Sequence, residues 1–511
     1  MRWSYEQLVR VADGFAYELK ARGVEPGERV LLCGENSPEW IAAFWGCLLR
    51  GVVVVPLDKE SAPAFLLSVA RQTQAKLMLA SDQVAALPAL KVPLLRLEGL
   101  SETVAHHEGA PYPVEGLSEE TLVEIIFTSG TTSQPKGVLL THGNLLANLL
   151  PLEAEIKKYL KWERFFHPVR FLNLVPLSHV FGQFMSIFVP QLLAGEVHLH
   201  ESLNPSEIVR ATRKNRISVI VLVPRLLDAL REWVERDYAA RGQAEELRER
   251  LVAAKGMSAW RRMWVFRRLH NLFGWKFWAF VSGGASLGAE TETFWRGLGF
   301  AVLQGYGMTE TASLVSVNHP FRQGLGSIGK LMPGYEIKLD ADGEIMVRGA
   351  SVSPGYWTSD GISKRAGEEW LRTGDVGELD AEGNLYFKGR KKDVIVTGAG
   401  LNVYPEDIEA ALNRQPDVRA SCVIAVAGAH GAEEPLAVII LRASGAKVEA
   451  AINGANAELA EYQRIRRWFI WTEPDFPRTA THKVLKREVA AFLEQQLKTE
   501  KAEADEGVAE E

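Results

Sequence analysis

Short apolar runs alternate along the chain with longer stretches in which apolar residues recur every three or four positions. YEQLVRVADGFAYELKARG, from Tyr5, has helical spacing and closes on Gly23, a residue suited to the left-handed turn that ends a helix. ERVLLCG and GVVVVPLD read as buried strands on either side of a helix. In Asn36-Ser37-Pro38 the serine can accept from unpaired backbone N–H groups and the proline fits the first turn. The same unit recurs at AKLMLAS, EVHLH, SVIVLV and FWAFV. Apolar strands separated by helices predict parallel sheets covered on both faces. From about Gly324 the runs become short, alternating and glycine-punctuated (GEIMVRG, GELDAEGNLYFKGR). That predicts hairpins, one turning at Asp380-Ala381-Glu382-Gly383.

The expected fold class is therefore α/β, with layered sheets in a large N-terminal body over 1–391 and a β-rich subdomain at 324–391. A small, mobile α+β domain follows at 392–497, then an acidic disordered tail at 498–511. With 511 residues, 47% hydrophobic and 24% charged, the composition is that of a globular protein. The net charge of −6 sits mostly in the tail, where 500–511 holds six acids and one lysine. The rest is near neutral, which argues against a nucleic-acid partner. Cys33, Cys47 and Cys422 are widely spaced, as expected in a reducing compartment. No apolar leader segment opens the chain and no window of 18 uninterrupted apolar residues occurs, so a cytoplasmic protein is expected.

The chemistry begins at Thr128-Ser129-Gly130-Thr131-Thr132-Ser133-Gln134-Pro135-Lys136-Gly137, directly after Leu122–Phe127, which reads as a buried strand. Small hydroxyls, glycines that leave backbone N–H groups accessible and one lysine suit a polyphosphate. The spacing is not that of a Walker A loop. A second stretch, Gln304-Gly305-Tyr306-Gly307-Met308-Thr309-Glu310, brings backbone close to a ligand at its glycines. Tyr306 can stack on a purine, Thr309 can bond phosphate and Glu310 can hold Mg²⁺.

The first of these loops resembles the phosphate-binding signature of the adenylate-forming (AMP-binding) superfamily, with Ser133 where glycine is usual. The resemblance runs from about Trp3 to Ala491 and is strongest toward long-chain fatty acyl-CoA synthetases. It implies an ATP/AMP site at Thr128, Ser129, Gly130, Thr131, Thr132, Lys136, Gly283, Gly284, Ala285, Gln304, Gly305, Tyr306, Gly307, Met308 and Thr309. Asp375 is implied to meet the ribose and Arg390 the ribose or α-phosphate. Mg²⁺ is implied at Thr128 and Glu310, and an acyl pocket at His179, Phe181 and Gly182. Lys392 is the implied hinge; Gly398, Gly400 and Asn402, in a loop where Ala399 replaces a glycine, serve the thioester step. Lys483, preceded by His482 rather than glycine, is the implied adenylation lysine, so the catalytic set is Lys483, Glu310 and Thr128. Lys391 reads as a solvated member of a basic linker.

The implied reaction activates a carboxylic acid with ATP and Mg²⁺ as an acyl-adenylate, then transfers the acyl group to coenzyme A. A long-chain fatty acid is the expected substrate, because no acid occurs from Phe171 to Gly195 to pair with a substrate ammonium. Two alternatives share parts of this pattern. One is a fatty acyl-AMP ligase delivering to an acyl carrier protein. The other is an esterase built on Ser286, since Gly284-Ala285-Ser286-Leu287-Gly288 matches a nucleophile elbow. Finally, 260–280 mixes tryptophan and phenylalanine with arginine and lysine. It reads either as a helix at an anionic membrane surface, here the inner membrane, or as one packed on the body.

Overall fold

The computed structural model describes all residues except 1, 83, 85–91, 108–109, 129–134, 164–167, 319–325, 366–368, 398–400, 429–432, 444–446, 480–482 and 497–511. The chain separates into two compact units. The first holds 1–337, 347–371 and 381–385; the second holds 338–346, 372–380 and 386–511.

Two sheets carry the first unit. One has eight strands, ordered by their first residues Gly361, Gly355, Lys136, Leu122, Val53, Arg29, Leu77 and Leu94. Its centre is parallel, with Val30 opposite both Val54 and Leu77. The pair Leu122–Thr128 and Lys136–Thr141 is antiparallel, with Thr128 opposite Lys136. The second sheet has seven strands, with Val219–Leu222, Ala279–Ser282 and Ala301–Tyr306 parallel and adjacent. The strand cores at Val30, Leu31, Val54, Val55, Ile220 and Val221 are fully buried, as expected for parallel strands covered on both faces. The first two helices run Tyr5–Ala21 and Pro38–Arg50. The Ser37 hydroxyl caps the second by accepting from Trp40 N at 3.1 Å, and Gly51, at φ 73°, ends it. Phe15, Trp40 and Phe44 fill the space between them and the sheet.

The run 260–280 is not one helix. It folds as Ala259–Val265 and Arg267–Phe273, then enters the strand Ala279–Ser282. Phe266, between the helices, is drawn into the core, and Gly274, at φ 103°, turns the chain toward the strand.

Where the sequence pattern predicts hairpins, a four-stranded sheet is present, ordered Tyr335–Leu339, Glu344–Gly349, Leu371–Leu379 and Leu385–Arg390. Gly383, at φ 79°, makes its last turn. The second unit also contains a sheet of Val418–Ala427, Glu433–Leu441 and Arg467–Ile470. The helices Pro405–Asn413 and Val448–Glu458 share a core with it through Ile408, Leu412, Ile439 and Ile452.

Candidate active site

Ser129, Gly130, Thr131 and Thr132 lie outside the described residues, but the walls of their loop are described. The loop leaves one strand at Thr128 and re-enters the next at Lys136, whose side chain is exposed. Gln72 holds the exit. Its amide donates to Pro135 O at 3.2 Å and Trp357 O at 3.4 Å, and its own carbonyl accepts from the Trp357 indole at 3.1 Å.

The Tyr306–Glu310 stretch is tied to the same strand pair through Ser353. Its amide donates to Glu310 O at 2.7 Å and its hydroxyl donates to Leu139 O at 2.7 Å. Asn148, on the helix that follows the loop strands, donates to Thr311 O and Ala312 O at 2.8 and 2.9 Å. The phosphate-loop strands and the tyrosine–glutamate stretch, far apart in sequence, thus share one end of the first unit. Gly307 is required there, since a Cβ on it would stand 1.9 Å from Ser313 O. Tyr306 is buried, and the Gln304 side chain turns inward, donating to Glu292 at 3.2 Å. Thr309 begins a short 3-10 turn that carries Glu310.

Tyr356 was not anticipated. Its hydroxyl lies 3.4 Å from Glu310 Oε1, and burial together with the neighbouring carboxylate pushes its pKa up to about 12. It therefore remains a phenol that donates to Glu310. The pairing of Tyr356 with Val138 across strands sets this contact. Only the aromatic pair Tyr356-Trp357 after Pro354-Gly355 hinted at it in the sequence.

The 176–182 segment, where an acyl pocket is expected, and the glycine turn after FWAFV also meet. A Cβ on Gly283 would stand 2.8 Å from the Phe181 ring, so one side of the ring closes against bare backbone. Gly182 passes Pro176 O so closely that a Cβ would be 2.0 Å away. Val180, Phe184, Met185, Ile187 and Phe188 around them are buried and apolar. Gly284 follows at φ 86°, and Ala285 is exposed. The expectation that this segment meets no acid needs correction. Asp58 arrives from another strand end, accepting from Ser178 at 3.2 Å with His179 Nε2 at 3.9 Å. A second acid, Glu124, is fully buried in the strand leading to the phosphate loop and accepts from Gln183 at 3.0 Å. Burial pushes its pKa up to about 8.

Ser286 does not sit on a nucleophile elbow. The strand ends at Ser282 and the helix starts at Ala289, leaving six residues of loop with Ser286 exposed midway. The sharp strand-to-helix turn that such a nucleophile needs is absent there.

In the second unit, Asp375 is buried after Gly374, which takes φ 69°, and pairs with Arg390 at 2.8 Å. Lys483 lies within electrostatic range of this pair. Lys483 is tied to Thr479, with Thr479 N donating to Lys483 O at 2.9 Å and Lys483 N donating to Thr479 Oγ1 at 3.1 Å. The residue is exposed, yet burial around its ammonium, with Arg390 and Lys392 nearby, lowers its pKa, and Asp375 opposes that shift. Lys392 is exposed in a one-turn helix, Lys391–Asp393. Lys391 is not merely solvated: its ammonium lies 2.9 Å from Asp342, 3.1 Å from Glu344 and 3.5 Å from Asp340. Arg372 joins Asp340 and Glu344. Gly398 and Gly400 lie outside the described residues; Asn402 pairs with Val396 across the loop that holds them.

Residues 1–357 match the family model for AMP-binding enzymes and 407–483 match that for the AMP-binding enzyme C-terminal domain. The long-chain-fatty-acid–CoA ligase FadD15 of Mycobacterium bovis is 29% identical over 455 residues, 80% of this chain and 73% of that protein. A feruloyl-CoA synthase of an Amycolatopsis species is 28% identical over 510 residues, 95% of this chain and 93% of that one. The ATP-bound structure of MatB from Rhodopseudomonas palustris superposes with a TM-score of 0.75 at 26% identity, covering 95% of this chain and 92% of that one.

Proposed function

Because the chain belongs to the AMP-binding enzyme family, we propose that it is an AMP-forming acid–CoA ligase whose acid is a long-chain fatty acid. The observation that carries the activity is the Arg390–Asp375 pair, with Lys483 inside its electrostatic field. A carboxylate attacking the α-phosphorus of ATP builds negative charge on the transferring oxygens. Lys483 and Arg390 are cations held where that charge develops, and Asp375 accepts from the ribose hydroxyls. Pyrophosphate leaves from the Thr128–Lys136 loop. The chain beyond Lys392 then turns about that residue, Lys483 withdraws, and the 398–402 segment takes its place while the coenzyme A thiol displaces AMP.

Glu310 and Thr128 would hold Mg²⁺. A carboxylate kept in place by a phenol that stays protonated suits a hard cation, which would neutralise phosphate charge.

The substrate reading is supported by the Phe181 ring against Gly283 and the apolar side chains around it. Asp58 accepts from Ser178 and Glu124 accepts from Gln183, so each of the two nearby acids is engaged within the protein. Relatives that act on ferulate as well as fatty acids make the acid the property to test. Pyrophosphate release and thioester formation should be measured for C2 to C18 acids and ferulate, with coenzyme A or holo-acyl carrier protein as acceptor. The highest kcat/KM is expected for long acids with coenzyme A, and Ser286→Ala should leave it unchanged. A preference for ferulate or acetate would overturn the substrate, and a preference for the carrier protein would overturn the acceptor.

A further inference from the structure

Three tryptophans on the two short helices and the turn that follows them face solvent to an unusual degree. Trp260 is 77% exposed, Trp264 71% and Trp275 73%, and Trp278 adds a partly exposed ring at 36%. Tryptophan is highly buried on average, so such a cluster signals a surface that is covered in use. Among the described residues of 255–280, every exposed large hydrophobic side chain is an indole.

Charge adds a second, independent signal. No Asp or Glu occurs from Arg250 to Ala289, while seven cations do. Three of these are engaged internally. Arg250 pairs with Glu246, Arg262 donates to Ala254 O and Arg296 O, and Arg268 donates to Gln243 with Asp237 at 3.8 Å. Lys255, Arg261, Arg267 and Lys276 are left for an outside partner. Arg267 lies 5.2 Å over the Trp264 ring and Lys276 5.5 Å over the Trp275 ring, so each of these two indoles carries a cation over its face.

The fold puts these groups at one edge. Trp260 and Trp264 are four residues apart and share a helix face. The opposite face, through Arg262 and Met263, packs on Gly299 just before the strand Ala301–Tyr306. Gly274 lies beside Arg213, and Trp278 N donates to Ser218 O just before the strand Val219–Leu222. All of them gather where these parallel strands start. The glycine turn at Gly283 and the Tyr306 stretch leave the other ends, about 13 Å away at roughly 3.3 Å per residue over four residues.

We propose that this edge docks on an anionic lipid bilayer, with the indoles at headgroup depth and the four cations on lipid phosphates. The contact is peripheral: among the described residues no helix is long and apolar enough to cross a membrane. The proposal does not rest on the identity of the acid.

The full chain should be sedimented with vesicles of phosphatidylcholine alone, and with 30% phosphatidylglycerol, at low and high salt. The wild type is expected to bind the anionic vesicles at least tenfold better and to lose most of that gain at high salt. Trp260→Ser, Trp264→Ser and Trp275→Ser together should weaken binding at least tenfold. Arg261→Gln, Arg267→Gln and Lys276→Gln together should weaken it by roughly fivefold per cation. Indifference of the wild type to phosphatidylglycerol overturns the proposal, as does unchanged binding by either variant. Gel filtration showing that the patch instead closes a dimer, lost in the tryptophan variant, also overturns it. If the tryptophan variant does not fold, the charge variant and the salt dependence decide alone.

Discussion

Glu124→Gln isolates one buried charge. Glu124 sits in the middle of the sheet, next to Val54 and bonded to Gln183, with its pKa raised by burial to about 8 against an ordinary 4.5. A carboxyl whose folded pKa is raised binds more protons folded than unfolded between those values, so its contribution to stability falls as pH rises from 4.5 to 8. Taking those two values, the loss is about 1.4 kcal/mol by pH 5.5 and about 4.7 kcal/mol by pH 9. Glutamine keeps the shape and an acceptor for Gln183 but has no charge to bury. The stability of the variant relative to the wild type should therefore grow by about 3 kcal/mol between pH 5.5 and pH 9. Every other titrating group is common to both proteins and cancels in the difference. Urea unfolding followed by tryptophan fluorescence at the two pH values measures it. A gap that stays constant, or shrinks toward high pH, would mean that Glu124 ionises normally and that the buried carboxyl is wrongly described.

Lys483→Ala should abolish pyrophosphate exchange while sparing thioester formation from supplied acyl-adenylate; equal loss of both half-reactions would remove Lys483 from its role. Because its ammonium pKa is lowered, adenylation should fail on the alkaline side below the ordinary lysine value, and Lys483→Arg should shift that limb upward in a pH–rate profile. Gly283→Ala drives a methyl into the Phe181 ring, so KM for the acid should rise about tenfold, with Phe181→Leu restoring it in the double variant. Gln72→Ala loosens the exit of the phosphate loop and should raise KM for ATP several-fold at unchanged acid KM, as steady-state kinetics would report. Lys391→Met removes an ammonium from Asp340, Asp342 and Glu344 and leaves Arg372 on Asp340 and Glu344. It should change the ratio of the two half-reaction rates more than their product, which single-turnover measurements separate.

Local physics made much of this chain legible in order. Parallel strands read as unbroken apolar runs because both their faces are covered, so Val30, Val54 and Val221 declared the sheets. Ser37-Pro38 and Gly51 marked a helix because capping depends on neighbours a few residues away. The loop at 128–137 and the stretch at 304–310 were visible for the same reason: glycines and hydroxyls that serve phosphate must be contiguous. What tertiary structure decided was every contact made across sequence distance. Asp58 reaching Ser178, Glu124 buried against Gln183, Tyr356 holding Glu310 and Gln72 holding Pro135 depend on which strands lie side by side, and no spacing encodes that. The break at Phe266 belongs with them. An amphipathic pattern records which residues are apolar, but only packing determined that Phe266 goes inward while Trp260, Trp264 and Trp275 remain outside.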